Sequence, residues 1–521
     1  MCLSSCHREW MSMHKILVCL LSSLLALSAF AEVTSVRGEA PGFEGRLVAV
    51  VGVQDEFSGK RIFLGQSEID DSGFFEVKFE ITNTQRIYVH IQRMEAPLFV
   101  QPGKSYRVVF PKREQADFIR FDNTEVSLQL IEFPSDDINL VIRKFNADYA
   151  IFLRDHFYDF AIDEYRGAPE YLQYKRNKTE NVDLYPTKTT TDSLLQNHEK
   201  GFSKWVVNFE DSVLASIQPA SDFAFTAAYK RHACAELYLL SGMRKDVFYK
   251  RYFATDTILQ HNPAFAASFR LFIQNCLVGQ PPEIQSAIVR AIHVDRDLDN
   301  LSNSISPDFG LLSTRMKLLA SIVALKEVYH KRIFDVVSVE LLLSKVATGD
   351  VLIDSIASAS LYQMERCSEG WQMQDFVFSN ENQDRWKLID AEGSPIYFLF
   401  FATWSPTSLI EVQVLNRWQE KFKGRVQMIA VCMDDEYKNY RRFLEDNLKL
   451  PLTVLYGNAE PFIHEKFNIK SIPHATLLNA HGKVLVNHCP QPSDHLFESI
   501  MTRFIETEKE KSQSPRTWKG R

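Results

Sequence analysis

The stretch Phe398-Leu399-Phe400-Phe401-Ala402-Thr403-Trp404-Ser405-Pro406-Thr407-Ser408-Leu409-Ile410-Glu411 passes through three kinds of sequence in succession. Residues 395–402 form an apolar run of the length of a strand buried on both faces. After Trp404 the chain turns, and Leu409, Val412, Leu415 and Trp418 recur at helical spacing. In the turn, Ser405 is suited to cap a helix, Pro406 to fill its first position and Ser408 to take a second orphan amide. Strand, turn and helix in this order place the amides of a helix N-terminus at one edge of a sheet, the usual setting of a reactive centre.

The flanking sequence continues the alternation. Hairpin strands are expected over 376–378 and 386–389. Then come strand 396–402, helix 408–422, strand 426–433, helix 436–448, strand 452–456, helix 461–467, strand 475–479, strand 484–487 and helix 493–505. Ser471-Ile472-Pro473 stands just before the last two strands. With these features together, residues 371–505 resemble the thioredoxin fold, and in particular the TlpA-like thiol-disulfide oxidoreductases of bacterial envelopes. The resemblance implies a cis Ile472–Pro473 bond beside the Trp404 turn, and a role for the backbone of Ile472 in pairing with an extended peptide.

That family reads Trp-Cys-x-x-Cys where this chain reads Trp404-Ser405-Pro406-Thr407-Ser408. Disulfide exchange requires an attacking thiolate and a second, resolving thiol, and a serine hydroxyl supplies neither. The carboxylate that thioredoxins proper carry six residues before the first Cys is matched here by Leu399, which cannot relay protons. No His or Asp stands near Ser405 in sequence to activate it as a nucleophile. No catalytic residue is therefore assigned: Ser405 and Ser408 mark the altered positions, and Cys432, at the carboxyl end of a strand, is the one candidate lone thiol. Cys432 and Cys489 are expected about three strand spacings apart, roughly 14 Å, too far to pair. The peptide-binding candidates are Trp404, Ser405, Pro406, Ile472, Pro473 and His474. His474 stands where Thr is commonest in the family, and is expected either to titrate in the groove or to sit idle on the surface.

Length and composition set the frame. A chain of 521 residues, 45% apolar and 24% charged, has the makings of about three soluble domains. A net charge of −7 without a basic stripe argues against nucleic acid. His14-Lys15, the apolar run 16–29 and Ala29-Phe30-Ala31 read as a signal peptide over 1–31, cleaved before Glu32. No later segment is long and apolar enough to span a bilayer. Cleavage leaves Cys234, Cys276, Cys367, Cys432 and Cys489, an odd number at wide spacing. That pattern fits neither a disulfide framework nor a zinc site, and buried inert thiols are the expectation.

From residue 34 to 134 the period is two, as at Phe75-Val77-Phe79-Ile81, Ile87-Val89-Ile91, Tyr106-Val108-Phe110 and Val126-Leu128-Leu130. These strands predict a β-sandwich over 32–134. Ser135-Asp136-Asp137 then opens helical periodicity that runs to about Met364 and predicts an α-helical domain over 135–368. Residues 182–192, 279–282 and 302–308 are expected to connect its helices. His232 and Cys234 are expected to face different sides and not to form a metal pair. The fold class is thus multidomain α+β: β-sandwich, α-helical domain, thioredoxin-like domain over 371–505 and a disordered tail over 506–521. No cofactor or metal is called for. The functional expectation is an exported protein of the periplasm, or secreted or surface-held, with a protein or peptide partner in the cell envelope and a non-catalytic binding or assembly role. The alternative is a thiol-disulfide oxidoreductase or antioxidant-type enzyme that uses another cysteine such as Cys432.

Overall fold

Three sheets organise the described residues, and the largest of these is built around the strand at 396–401. The structure, a computed structural model, describes residues 32–112, 124–156, 205–215, 222–240, 245–305, 312–391, 393–447, 450–458 and 462–513. The signal segment 1–31 and the connection 182–192 lie outside the described residues.

The first two sheets come from residues 32–130. β1 (Glu32–Glu39), β4 (Phe74–Ile81), β7 (Ser105–Val109) and β9 (Gln129–Leu130) form one, in the order β4-β1-β7-β9. β2 (Leu47–Val53), β3 (Arg61–Glu68), β5 (Gln85–Ile91), β6 (Met94–Val100) and β8 (Thr124–Glu125) form the other, in the order β3-β2-β5-β6-β8. Val36, Phe75, Val77 and Phe79 of the first sheet share one buried core with Val48, Val50, Ile87, Val89 and Leu98 of the second, as period-two alternation requires. The strand expected over 126–130 is a correction. The chain crosses there from the second sheet to the first, so only the two-residue β8 and β9 pair, and of the alternating set only Leu128 is buried.

Helices follow from Ile138–Asp155, whose N-cap Asp137 accepts from Asn139 N, to Val351–Glu365. The connection expected over 302–308 begins too early: Asp297 caps a helix over Leu298–Ser304. The helical core is closed by a residue from outside it. Phe57, in the loop between β2 and β3, is fully buried there, edge-on to Phe265 and Phe269 at ring distances of 6.0 and 5.9 Å. Lys326 Nζ donates to the carbonyls of Phe57 (3.0 Å) and Ser58 (2.6 Å) and holds the loop in place.

The third sheet has seven strands: β10 (Val377–Ser379), β11 (Arg385–Lys387), β12 (Ile396–Phe401), β13 (Gln427–Cys432), β14 (Thr453–Tyr456), β15 (His474–Leu478) and β16 (Val484–Asn487). Their order is β11-β10-β14-β13-β12-β15-β16, with β12, β13 and β14 parallel and β15 and β16 antiparallel. Every residue of β12 is buried. Tyr397, Leu399 and Phe401 pack against α1 (Pro406–Phe422), α2 (Tyr437–Asp446) and α4 (Phe497–Gln513), while Ile396, Phe398 and Phe400 pack with Phe376, Phe378 and the short α3 (Ile463–Lys466). The disordered tail expected from residue 506 is corrected, because α4 continues to Gln513 through a Glu- and Lys-rich segment of strong helix formers. Residues 514–521 lie outside the described residues.

Deleting the Phe57 ring removes an aromatic side chain from a closed core. We expect Phe57→Ala to lower the unfolding free energy of the helical region by about 3–5 kcal/mol, as read from helix circular dichroism in urea; a change below about 1 kcal/mol would show that the loop is not part of that core.

Candidate functional site

The turn after β12 is shaped by hydroxyl groups. Ser405 N donates to Ala402 O at 3.1 Å, and Leu409 N donates to Ser405 O at 3.1 Å, so the chain reverses and enters α1 within a few residues. Ser405 is the N-cap of α1, with Ser408 N donating to its Oγ at 3.4 Å and Pro406 in the first turn. Ser408 Oγ donates to Ser405 Oγ at 2.9 Å, and Thr407 Oγ1 lies 3.2 Å from the same atom. The two serines that stand at the cysteine positions are therefore in contact, but as a capping pair. Among the described residues no carboxylate or imidazole bonds Ser405 Oγ, so nothing there could act as a base for a serine nucleophile.

Around this pair, Ser405 and Ser408 are buried, whereas Trp404 is 37% exposed and Pro406 and Thr407 are exposed. The Ile472–Pro473 bond is cis. Among the described residues no protein group bonds the N–H or C=O of Ile472, which leaves both for an external partner. Gln491, a residue that sequence reasoning missed, donates from Nε2 to Pro473 O at 3.3 Å. The family resemblance implies the cis-proline loop, but nothing local in sequence ties Gln491 to it.

A second missed residue supports the turn from the next strand. Asp434, just beyond β13, accepts from Thr403 N at 2.8 Å and from Thr403 Oγ1. Burial pushes its carboxyl above the ordinary value, against the opposing effect of those two bonds. Its neighbour Asp435 faces the other way and takes a bidentate ion pair from Arg93, at 3.3 Å from Nε and 2.6 Å from the terminal nitrogen, with both side chains buried.

Two candidates are corrected. His474 is neither on the surface nor poised to titrate near neutral pH. It is buried on the α3 face of β15, with Nε2 3.1 Å from Asn487 Oδ1 and 3.2 Å from Thr476 Oγ1. Burial is the main cause that lowers it to about 4. Cys432 is 0% exposed beneath α1 and α2, and burial, reinforced by Asp434, pushes its thiol well above the ordinary value. An accessible, acidified thiol is what a lone redox cysteine requires, and Cys432 is the opposite. Cys234, Cys276, Cys367 and Cys489 are likewise buried thiols, with burial pushing Cys367 up to about 11 and Cys489 up to about 12. His232 lies against Ser268 while Cys234 belongs to a cluster with Phe145 and Val213, so the two do face different neighbours. No group of three or more metal-binding side chains occurs among the described residues.

The fold and this turn are those of a thioredoxin-like domain, and the chain is similar to TlpA-like thiol-disulfide oxidoreductases. No family model matches the chain. Thiol-disulfide oxidoreductase ResA of Halalkalibacterium halodurans is 22% identical over 134 residues, 25% of this chain and 74% of that protein. Thioredoxin-like protein YneN of Bacillus subtilis is 24% identical over 118 residues, 22% of this chain and 68% of that protein. Among solved structures, a putative thiol-disulfide oxidoreductase from Bacteroides vulgatus shares 22% identity, with 26% of this chain and 97% of that one covered and a TM-score of 0.25.

The Asp434–Thr403 pair yields a prediction. Asp434→Ala leaves the Thr403 amide and hydroxyl without their acceptor and should cost about 1–3 kcal/mol with a shift in Trp404 fluorescence. Asp434→Asn, which retains an acceptor and gains a donor, should cost less than half as much; equal losses in urea titrations would show that the bonds do not matter.

Proposed function

We propose that this chain is a thioredoxin-fold binding or assembly protein that retains the peptide-docking groove of its relatives without their disulfide chemistry. The observation that carries the reading is the Ser405–Ser408 hydroxyl pair, which caps α1 at the place of the redox cysteines. Two further features favour it: the exposed Trp404 and the unbonded backbone of Ile472. An extended segment of a partner would lie across Trp404 and Pro406 and pair with Ile472, with the amides of the α1 N-terminus favouring acidic groups on it.

In this reading the β-sandwich over 32–134 and the α-helical domain over 135–368 enlarge the surface offered to the partner, and residues 371–505 carry the groove. Residues 1–31 would direct export, to the periplasm or to the cell surface. No helix among the described residues is long and apolar enough to cross a membrane. The alternative, an oxidoreductase or antioxidant enzyme working through Cys432, is disfavoured by the burial of that thiol.

The groove is tested with an unfolded polypeptide whose thiols are alkylated, so that binding cannot involve disulfide exchange. Its addition should quench Trp404 fluorescence and saturate. Pro473→Ala should weaken binding by about tenfold or more, equivalent to about 1.4 kcal/mol. Calorimetry on Trp404→Ala reads the same loss without the fluorophore, and unchanged binding in both variants would show that the groove binds nothing.

A further inference from the structure

The contact between the β5–β6 hairpin and α3 of the seven-stranded sheet holds two imidazoles, each with a ring nitrogen that no protein group among the described residues satisfies. His90 belongs to β5 and His464 to α3, on opposite sides of the contact, and they are only 2% and 9% exposed. Their rings are near parallel, 6.0 Å apart with an interplanar angle of 16°, and Phe462 lies 4.4 Å from the His90 ring. Among the described residues, neither His90 Nε2 nor His464 Nε2 has a hydrogen-bond partner, and both atoms are shut off from solvent. Buried polar atoms are normally paired, so two orphans facing each other across one interface call for an explanation.

The charged groups around the pair are already engaged with one another. Arg61 of β3 donates to Glu95 of β6 at 2.7 Å and to Glu465 of α3 at 2.8 Å. Arg93, in the turn between β5 and β6, pairs with Asp435, and Arg46 pairs with Glu436 at 2.8 Å. Arg366 acts on His464 from the end of the helical region. No carboxylate among the described residues bonds either imidazole. A proton on either ring would therefore create a buried cation beside Arg61 and Arg93 with no counter-ion bonded to it.

We propose that His90 and His464 form an acid-sensitive latch: while both rings are neutral, β5 and β6 stay seated on α3 and the 433–436 loop, and protonation of the pair releases them. Burial is the largest cause holding both imidazoles below their ordinary value. It is reinforced at His90 by His464 and Arg61, and at His464 by Arg61, Arg93 and Arg366, while Asp435 opposes it. His464 is lowered to about 4. The seated state binds fewer protons than the released one, so seating is complete above the ordinary imidazole value of about 6.5 and weakens as pH falls from there through about 4. His464 alone then accounts for about a 30-fold loss in the seating equilibrium at pH 5 relative to pH 8, and His90 adds to it in the same direction. Release would also undo the Arg93–Asp435 pair, next to the residue that holds Thr403.

Hydrogen–deuterium exchange on the full chain, corrected for intrinsic rates, tests the latch. Protection of segments 86–95, 433–440 and 462–467 should fall by about 30-fold or more between pH 8 and pH 5, while β12 stays protected. In the His90→Gln, His464→Gln double variant, whose side chains do not titrate, that pH difference should shrink to about threefold or less. Wild-type protection that does not change with pH, or an equal change in the double variant, overturns the proposal. Carbon-13 NMR of labelled histidines in the unmodified protein tests the same point. The resonances assigned to His90 and His464, by their loss in the single His90→Gln and His464→Gln variants, must both titrate well below the ordinary value, and an ordinary titration of either also overturns it.

Discussion

Burial of β12 on both faces is the constraint on which the third sheet depends. Six consecutive apolar side chains cannot lie at an edge or on a half-exposed sheet, so β12 takes the centre, with α1, α2 and α4 covering one face and α3 with the β10–β11 hairpin covering the other. Centring β12 puts its carboxyl end between β13 and β15. The loop after β13 then meets the Trp404 turn from one side, and the cis-proline loop before β15 meets it from the other. The site is thus a consequence of strand order, and its side chains adjust what it can do.

The pair Asp434-Asp435 extends that logic beyond the thioredoxin-like part of the chain. Successive carboxylates point in opposite directions, one to Thr403 in the site turn and the other to Arg93 in the β5–β6 turn. Both are buried, and removing either partner of such a pair leaves a charge or amide unmet. The β2–β3 loop ties the same sheets to the helices through Phe57. Residues 32–130 therefore touch both of the other parts, and the site turn is one residue away from that contact.

Much of this was legible in the sequence because the signals were local. The apolar run at 396–401 and the Ser405-Pro406 helix start each depend on neighbours within a few residues, and the structure shows both; the cis Ile472–Pro473 bond, implied by the family resemblance, is also present. What failed depended on partners far away in sequence. His474 is buried because Thr476 and Asn487 meet it across β15 and β16. Cys432 ends its strand as expected, yet α1 and α2 close over it. His90 and His464 are separated by the whole helical region, and no periodicity could bring them together. The β8–β9 crossover and the length of α4 were misjudged for the opposite reason, since weak alternation and a charged helical end look alike to a strand or a disordered tail.

One assay tests the proposal that this chain keeps the fold of a disulfide exchanger without its chemistry. Reduction of a disulfide substrate coupled to dithiothreitol, measured for the protein beside its Ser405→Cys plus Ser408→Cys variant, separates scaffold from reagent. The expected result is no turnover above background for the unmodified chain and measurable turnover for the variant, because the replaced hydroxyls already stand 2.9 Å apart at the N-terminus of α1. Turnover by the unmodified chain would contradict the claim, since one of the thiols found buried would then be carrying the reaction.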